Sequence, residues 1–139
     1  MRKINKIILH CSDSPSATTT ISDIRRWHIE RGFADIGYHF VIHYDGSIHY
    51  GRSPHLVGAH CFHHNADSLG VCLCGGYRGN SDFSISQYNA LSRLLKDLCE
   101  SYNLDPHTDI YPHSYFNPAK SCPVFNFNDF MEDFLYPIF

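Results

Sequence analysis

At 139 residues, with 43% hydrophobic and 18% charged residues, the chain has the composition of one compact domain and lies far from the polar, highly charged range of disordered chains. A domain of this size buries about 68–70% of its unfolded surface, so residues 1–139 are read as a single domain without a second core. A formal charge of −3 with eleven neutral histidines argues against nucleic-acid partners, and the apolar run Ile7-Ile8-Leu9 is too short for membrane insertion or a signal peptide. Synthesis in the cytoplasm without a signal peptide is therefore expected.

Residues 5–10 (NKIILH) form a nearly all-apolar run, the pattern of a short central strand covered on both faces. It delivers His10 to a strand end, where α/β folds collect reactive groups. From Ser22 to Arg31, Ile24, Trp27 and His28 share one helical face, and Gly32 supplies the stop. The cations Arg25, Arg26 and Arg31 on that segment read as a solvated face. GYHFVIHYDGSIHYG alternates on either side of Asp45-Gly46, a hairpin-turn dipeptide, which predicts strands at 38–44 and 47–50.

Arg52 to Asp67 is rich in His, Gly and Asn without a sustained period, which predicts a long loop of the kind that is usually functional. SLGVCLCGG then reads as a buried strand closed by paired glycines. Ser84 and Ser86 open a helix carrying Tyr88, Leu91, Leu94, Leu95 and Leu98 at spacings of three and four. A short strand ends near His113, a loop carries Lys120 and Cys122, and Asp129 to Leu135 forms a last helix. Strands interleaved with helices predict an α/β fold with a central mixed β-sheet flanked by helices.

The six cysteines do not read as a disulfide framework. Cys72 and Cys74 alternate with Leu73 in an apolar strand and Cys99 lies in the amphipathic helix, so these read as buried reduced thiols. Among the histidines, His39, His43 and His49 alternate within strands and fit packing or hairpin-surface positions. His60, His63 and His64 are neighbours in an irregular loop, a setting that rarely preorganises a metal site.

HSYFNPAKSCPVF is different. His113 and Cys122 lie nine positions apart with Lys120 two residues before the cysteine, and His10 adds a second imidazole. Two histidines and a thiolate leave a tetrahedral zinc ion one open position, the arrangement of a catalytic site, and so point to metal-assisted hydrolysis. The motifs H-E-x-x-H, G-x-S-x-G and Walker A are absent.

ILHCS, IRRWHIERGFADIGYHFVIHYDG, VGAHCFHHNADSLGVCLCGG and HSYFNPAKSCPVF, in that order, closely resemble the zinc-dependent N-acetylmuramoyl-L-alanine amidases of the phage-lysozyme type. That family shares its fold with the peptidoglycan recognition proteins, and the resemblance runs over residues 5–127. It implies one catalytic zinc ion held by His10, His113 and Cys122, with Tyr38 and Lys120 as catalytic residues. It also implies hydrolysis of the amide bond between N-acetylmuramic acid and L-alanine, on peptidoglycan or muropeptides, by a monomer acting on the cell wall or its fragments. Trp27, Arg52, His60 and Asn65 are expected to wall the substrate groove.

Two departures are visible. The His113 to Cys122 spacing is one residue longer than in the phage enzyme, and Ala66-Asp67 replaces a polar pair before the S-[IL]-G strand. Two other readings stand beside the enzyme. One is a recognition module that binds peptidoglycan without cutting it. The other is a structural zinc domain whose shell is closed by a fourth ligand such as Cys11 or His39.

Overall fold

Five strands, β1 (Lys6–Cys11), β2 (Phe40–Ile42), β3 (Ile48–Tyr50), β4 (Ser68–Leu73) and β5 (Ile110–Pro112), form one sheet in the order β3-β2-β4-β1-β5. In this computed structural model, residues 2–137 are described. β1 pairs in parallel with β4 and β5, β2 pairs in parallel with β4, and β3 returns antiparallel to β2. The interior position of β1 explains its unbroken apolar run: Ile7, Ile8 and Leu9 have no exposed surface. The hairpin expected at Asp45-Gly46 is present, with the His43 N–H donating to the Ser47 carbonyl (3.0 Å) and Gly46 at φ +85°. Its strands are shorter than the 38–44 and 47–50 read from the alternation.

Helices cover both faces. Helix α2 (Ile85–Tyr102) lays Leu91, Leu94, Leu95 and Leu98 on Ile7, Leu9, Phe40, Leu69, Val71 and Leu73, and helix α4 (Phe127–Leu135) adds Met131 to the same core. On the opposite face, helix α1 (Ile21–Glu30) brings Ile24 and Trp27 against Ile36, Val41, Cys72 and Cys74. The two longer helices open with reciprocal capping boxes. Thr20 Oγ1 accepts from the Asp23 N–H (3.3 Å) while Asp23 accepts from the Thr20 N–H (3.0 Å), and Ser84 and Gln87 repeat the device. The Thr20 cap starts α1 two residues earlier than a stretch preceded by Ser22.

A one-turn helix, α3 (His113–Phe116), follows β5 directly. All six cysteines are unpaired by disulfides, and five of them are buried, as their strand and helix settings predict. Among the described residues no helix is long and apolar enough to cross a membrane.

Candidate active site

Parallel pairing of β1 with β5 aligns their C-terminal ends, and this places two imidazoles side by side. His10 is the penultimate residue of β1 and His113 follows β5 immediately; their ring centroids are 4.4 Å apart. Cys122 returns to them because the chain folds back after α3. The Ser114 N–H donates to the Cys122 carbonyl (3.0 Å), and the Lys120 N–H donates to the Asn117 carbonyl (2.9 Å). The three ligand atoms, one each from His10, His113 and Cys122, then lie within 4.8 Å of one another. They are the only group of three or more such residues among the described residues that are close enough to share a cation.

Burial sets the protonation states. His10 is buried, which pushes it well below the ordinary histidine range, with neighbouring His60 and His113 adding to the effect. His113 is lowered by burial and then by the Lys120 charge. Both rings are therefore neutral with a lone pair to give. The Cys122 thiol sits 3.1 Å from that of Cys11; this hydrogen bond and burial push Cys122 up, while the same bond draws Cys11 down. The Cys11 backbone N–H also points at Cys122 Sγ (2.8 Å), a donor that favours the thiolate at Cys122 once a cation draws the proton off. Two neutral imidazoles and one inducible thiolate are a donor set that suits zinc, and fewer than four protein ligands leave room for a reactant.

His113 and Cys122 line a cleft of about 960 Å³, and His10 is buried behind them. Tyr38 and Lys120 both line the cleft. The Tyr38 ring lies 5.1 Å from that of His10 and 5.3 Å from that of His28, and burial raises its phenol well above the ordinary range, so the hydroxyl keeps its proton and can donate it. Lys120 is exposed at the cleft.

The four residues expected to wall the groove divide. His60 and Asn65 line the cleft, with the Asn65 side-chain oxygen accepting from the His60 and Cys61 N–H groups (2.9 Å each). Trp27 lies outside the lining and packs against the core beneath α1. Arg52 is also outside it; its guanidinium donates to the carbonyls of Ile36 (3.0 Å), Val57 (2.8 Å) and Asp35 (3.2 Å). Arg2 staples the other end of the same loop through the carbonyls of Pro54 and Ser68 (2.9 Å each). These two arginines hold residues 52–67 in place without regular secondary structure, which a reading of hydrophobic period cannot register.

Neither residue nominated as a fourth ligand joins the group. His39 is buried, with Nδ1 accepting from the Gly70 N–H (3.0 Å) and Nε2 bonded to the Leu56 carbonyl (2.9 Å). Cys11 engages Cys122 instead. The sequence reading passed over Phe33 and Arg78 and took Arg31 as part of a solvated face; all three line the cleft wall, Arg31 and Phe33 from the end of α1 and Arg78 from a separate segment.

The model of the N-acetylmuramoyl-L-alanine amidase family matches residues 1–125. The endolysin of Klebsiella phage KP32 is 36% identical over an alignment covering 94% of this chain and 87% of that protein. Among solved structures, the N-acetylmuramoyl-L-alanine amidase LysC from Clostridium intestinale superposes with a TM-score of 0.84 at 29% identity, covering 96% of this chain and 86% of that one. A Drosophila PGRP-LB mutant in complex with tracheal cytotoxin gives a TM-score of 0.79 at 26% identity, covering 100% and 85%. Sheet order, helix placement and cleft thus define an α/β domain of the class shared by peptidoglycan amidases and recognition proteins. The chain belongs to the N-acetylmuramoyl-L-alanine amidase family and is an amide hydrolase of peptidoglycan.

Proposed function

We propose that this enzyme uses one zinc ion, held by His10, His113 and Cys122, to hydrolyse the amide bond between N-acetylmuramic acid and the L-alanine of the stem peptide. The observation that carries this reading is the meeting of two neutral histidines and a cysteine, two of the three lining a cleft that Tyr38 and Lys120 also line. When bound, zinc supplies Lewis acidity, which activates water near neutral pH and polarises a carbonyl.

The chain's own residues do the rest. Lys120 brings a mobile cation to the cleft, where it stabilises negative charge as the amide carbonyl becomes tetrahedral. Tyr38 keeps its phenolic proton and donates a hydrogen bond to the attacking water or to the departing nitrogen. Their interactions strengthen only as charge develops, so they act on the rate more than on binding. The relatives named as endolysins support the cell wall as the place of action, and the cytotoxin complex of PGRP-LB supports a muropeptide-sized ligand for the cleft.

The test is mass spectrometry of muropeptides or sacculi incubated with zinc-loaded and with chelated protein. Release of free stem peptides beginning with L-alanine, lost on chelation and restored by zinc, is the expected result. Bound but uncut muropeptide would instead make the chain a recognition module, and cleavage that survives chelation would remove zinc from the mechanism.

A further inference from the structure

One buried hydrogen bond at the site has no role in the chemistry above. His10 Nε2 lies 2.8 Å from His60 Nδ1, between residues 50 positions apart in the chain. The rings meet edge to face with centroids 4.9 Å apart. His60 Nε2 in turn lies 3.2 Å from Ser68 Oγ, and Ser68 Oγ donates to the His64 carbonyl (2.6 Å).

Counting protons gives this chain a direction. A carbonyl only accepts, so the single hydroxyl proton of Ser68 goes to His64 and its oxygen must accept from His60 Nε2–H. With one proton on a neutral ring, His60 Nδ1 is then an acceptor and must receive the proton on His10 Nε2. The lone pair left on His10 is that of Nδ1. A metal-binding histidine needs this arrangement, with the second ring nitrogen donating to a fixed partner and the first free for the cation.

The fold makes room for the ring that does this. A Cβ on Gly70, in strand β4, would fall 2.6 Å from His60 Cγ and 2.8 Å from its Nδ1, so a side chain at that position would collide with the imidazole where it lies. Gly58 leaves a second opening beside the same ring, 2.8 Å from His60 Cδ2. Asn65 fixes the backbone at the His60 N–H, and Arg2 and Arg52 hold the ends of the loop.

We propose that His60 is a positioning residue for His10: the chain His10, His60, Ser68 and the His64 carbonyl fixes the proton of His10 on Nε2 and reserves Nδ1 for the metal. The proposal rests on the reading of His10 as a zinc ligand. It differs from a substrate contact, because Ser68 is buried and does not line the cleft, yet belongs to the same chain.

The test combines long-range 1H–15N correlation of the histidine rings in the full chain with zinc affinity measured against a chromophoric chelator. In the metal-free wild type, His10 is expected to carry its proton on Nε2. His60→Phe, which fills the space but accepts nothing, is expected to weaken zinc binding about 10–100-fold. It lowers kcat at subsaturating zinc and leaves KM for muropeptide unchanged. His60→Asn puts an amide oxygen near the place of Nδ1 and recovers most of the affinity, and Ser68→Ala weakens zinc binding in the same direction as His60→Phe. Unchanged zinc affinity in a folded His60→Phe protein with a raised KM would make His60 a substrate contact and overturn the proposal. His10 carrying its proton on Nδ1 in the wild type would overturn it even if the variants failed to fold. Failure of the wild type to take up zinc is a separate result, which would overturn the metal reading itself.

Discussion

The site turns on a few atoms whose protonation is set by their surroundings. Cys122 is the sharpest case, since its hydrogen bond with Cys11 and its burial push the thiol up, and a bound cation would favour the thiolate. Cys122→Ser is expected to lose stoichiometric zinc, and activity with it, as read by metal analysis after dialysis. Tyr38→Phe and Lys120→Ala are expected to keep one zinc per chain while kcat falls by about 10²-fold or more, because each removes a donor or a charge that acts on the developing transition state. Full activity in both variants would remove these residues from catalysis. His10, His113 and Cys122 were singled out in the sequence by the family resemblance, since spacing alone did not separate His10 from the other histidines, and the fold brings the three together. The link from His10 to His60 was not legible, since two rings from distant segments meet only after β1 and β4 pair.

At the level of elements, periodicity located every strand and both long helices but could not say what each face would meet. Strand β4 shows why: Leu69, Val71 and Leu73 face the core beneath α2, while Gly70 and Cys72 lie toward α1 and the 52–67 loop. In the sequence Gly70 looks like a weak point in a strand. In the fold it is the floor under His60. Gly70→Ala is expected to destabilise the chain by about 1–3 kcal/mol in urea denaturation, the usual cost of forcing atoms into a packed site. It should also weaken zinc binding, by displacing the His60 ring; a variant of wild-type stability and affinity would show that the ring moves aside freely. Arg52 and Trp27 illustrate the opposite limit. Their residue types suit a substrate groove, but three backbone carbonyls and the α1 core engage them instead, and carbonyl partners leave no pattern in a sequence. The early start of α1 and the single turn of α3 have the same origin, because caps and tight turns depend on hydrogen bonds more than on period.

Across the whole molecule, the apolar face of the sheet that carries His10 also buries several other histidines, and this couples stability to pH. His28 and His39 are both buried, and desolvation is the largest cause that lowers each to about 4 from the ordinary 6.5. A depressed histidine takes up its proton in the unfolded chain first. Stability is therefore fully present above pH 6.5, falls as pH drops from 6.5 toward about 4, and levels off once the folded form is protonated as well. Asp23, Asp35, Asp67 and Asp82 are also lowered, but that stability is lost only below the carboxylate range, in a more acidic window. Between pH 7 and 5 the histidines thus dominate, and each of these two is expected to remove about 2 kcal/mol. Urea denaturation of chelated protein at pH 7, 6 and 5 measures the slope without metal release contributing. His28 accepts the Gly37 N–H at Nδ1 (2.9 Å), so His28→Asn keeps an acceptor near that place and removes the titrating group. The variant is expected to lose less stability than the wild type on acidification, by about 2 kcal/mol at pH 5. Parallel curves for the two proteins would mean that the buried His28 ring is protonated in the fold as readily as in the unfolded chain.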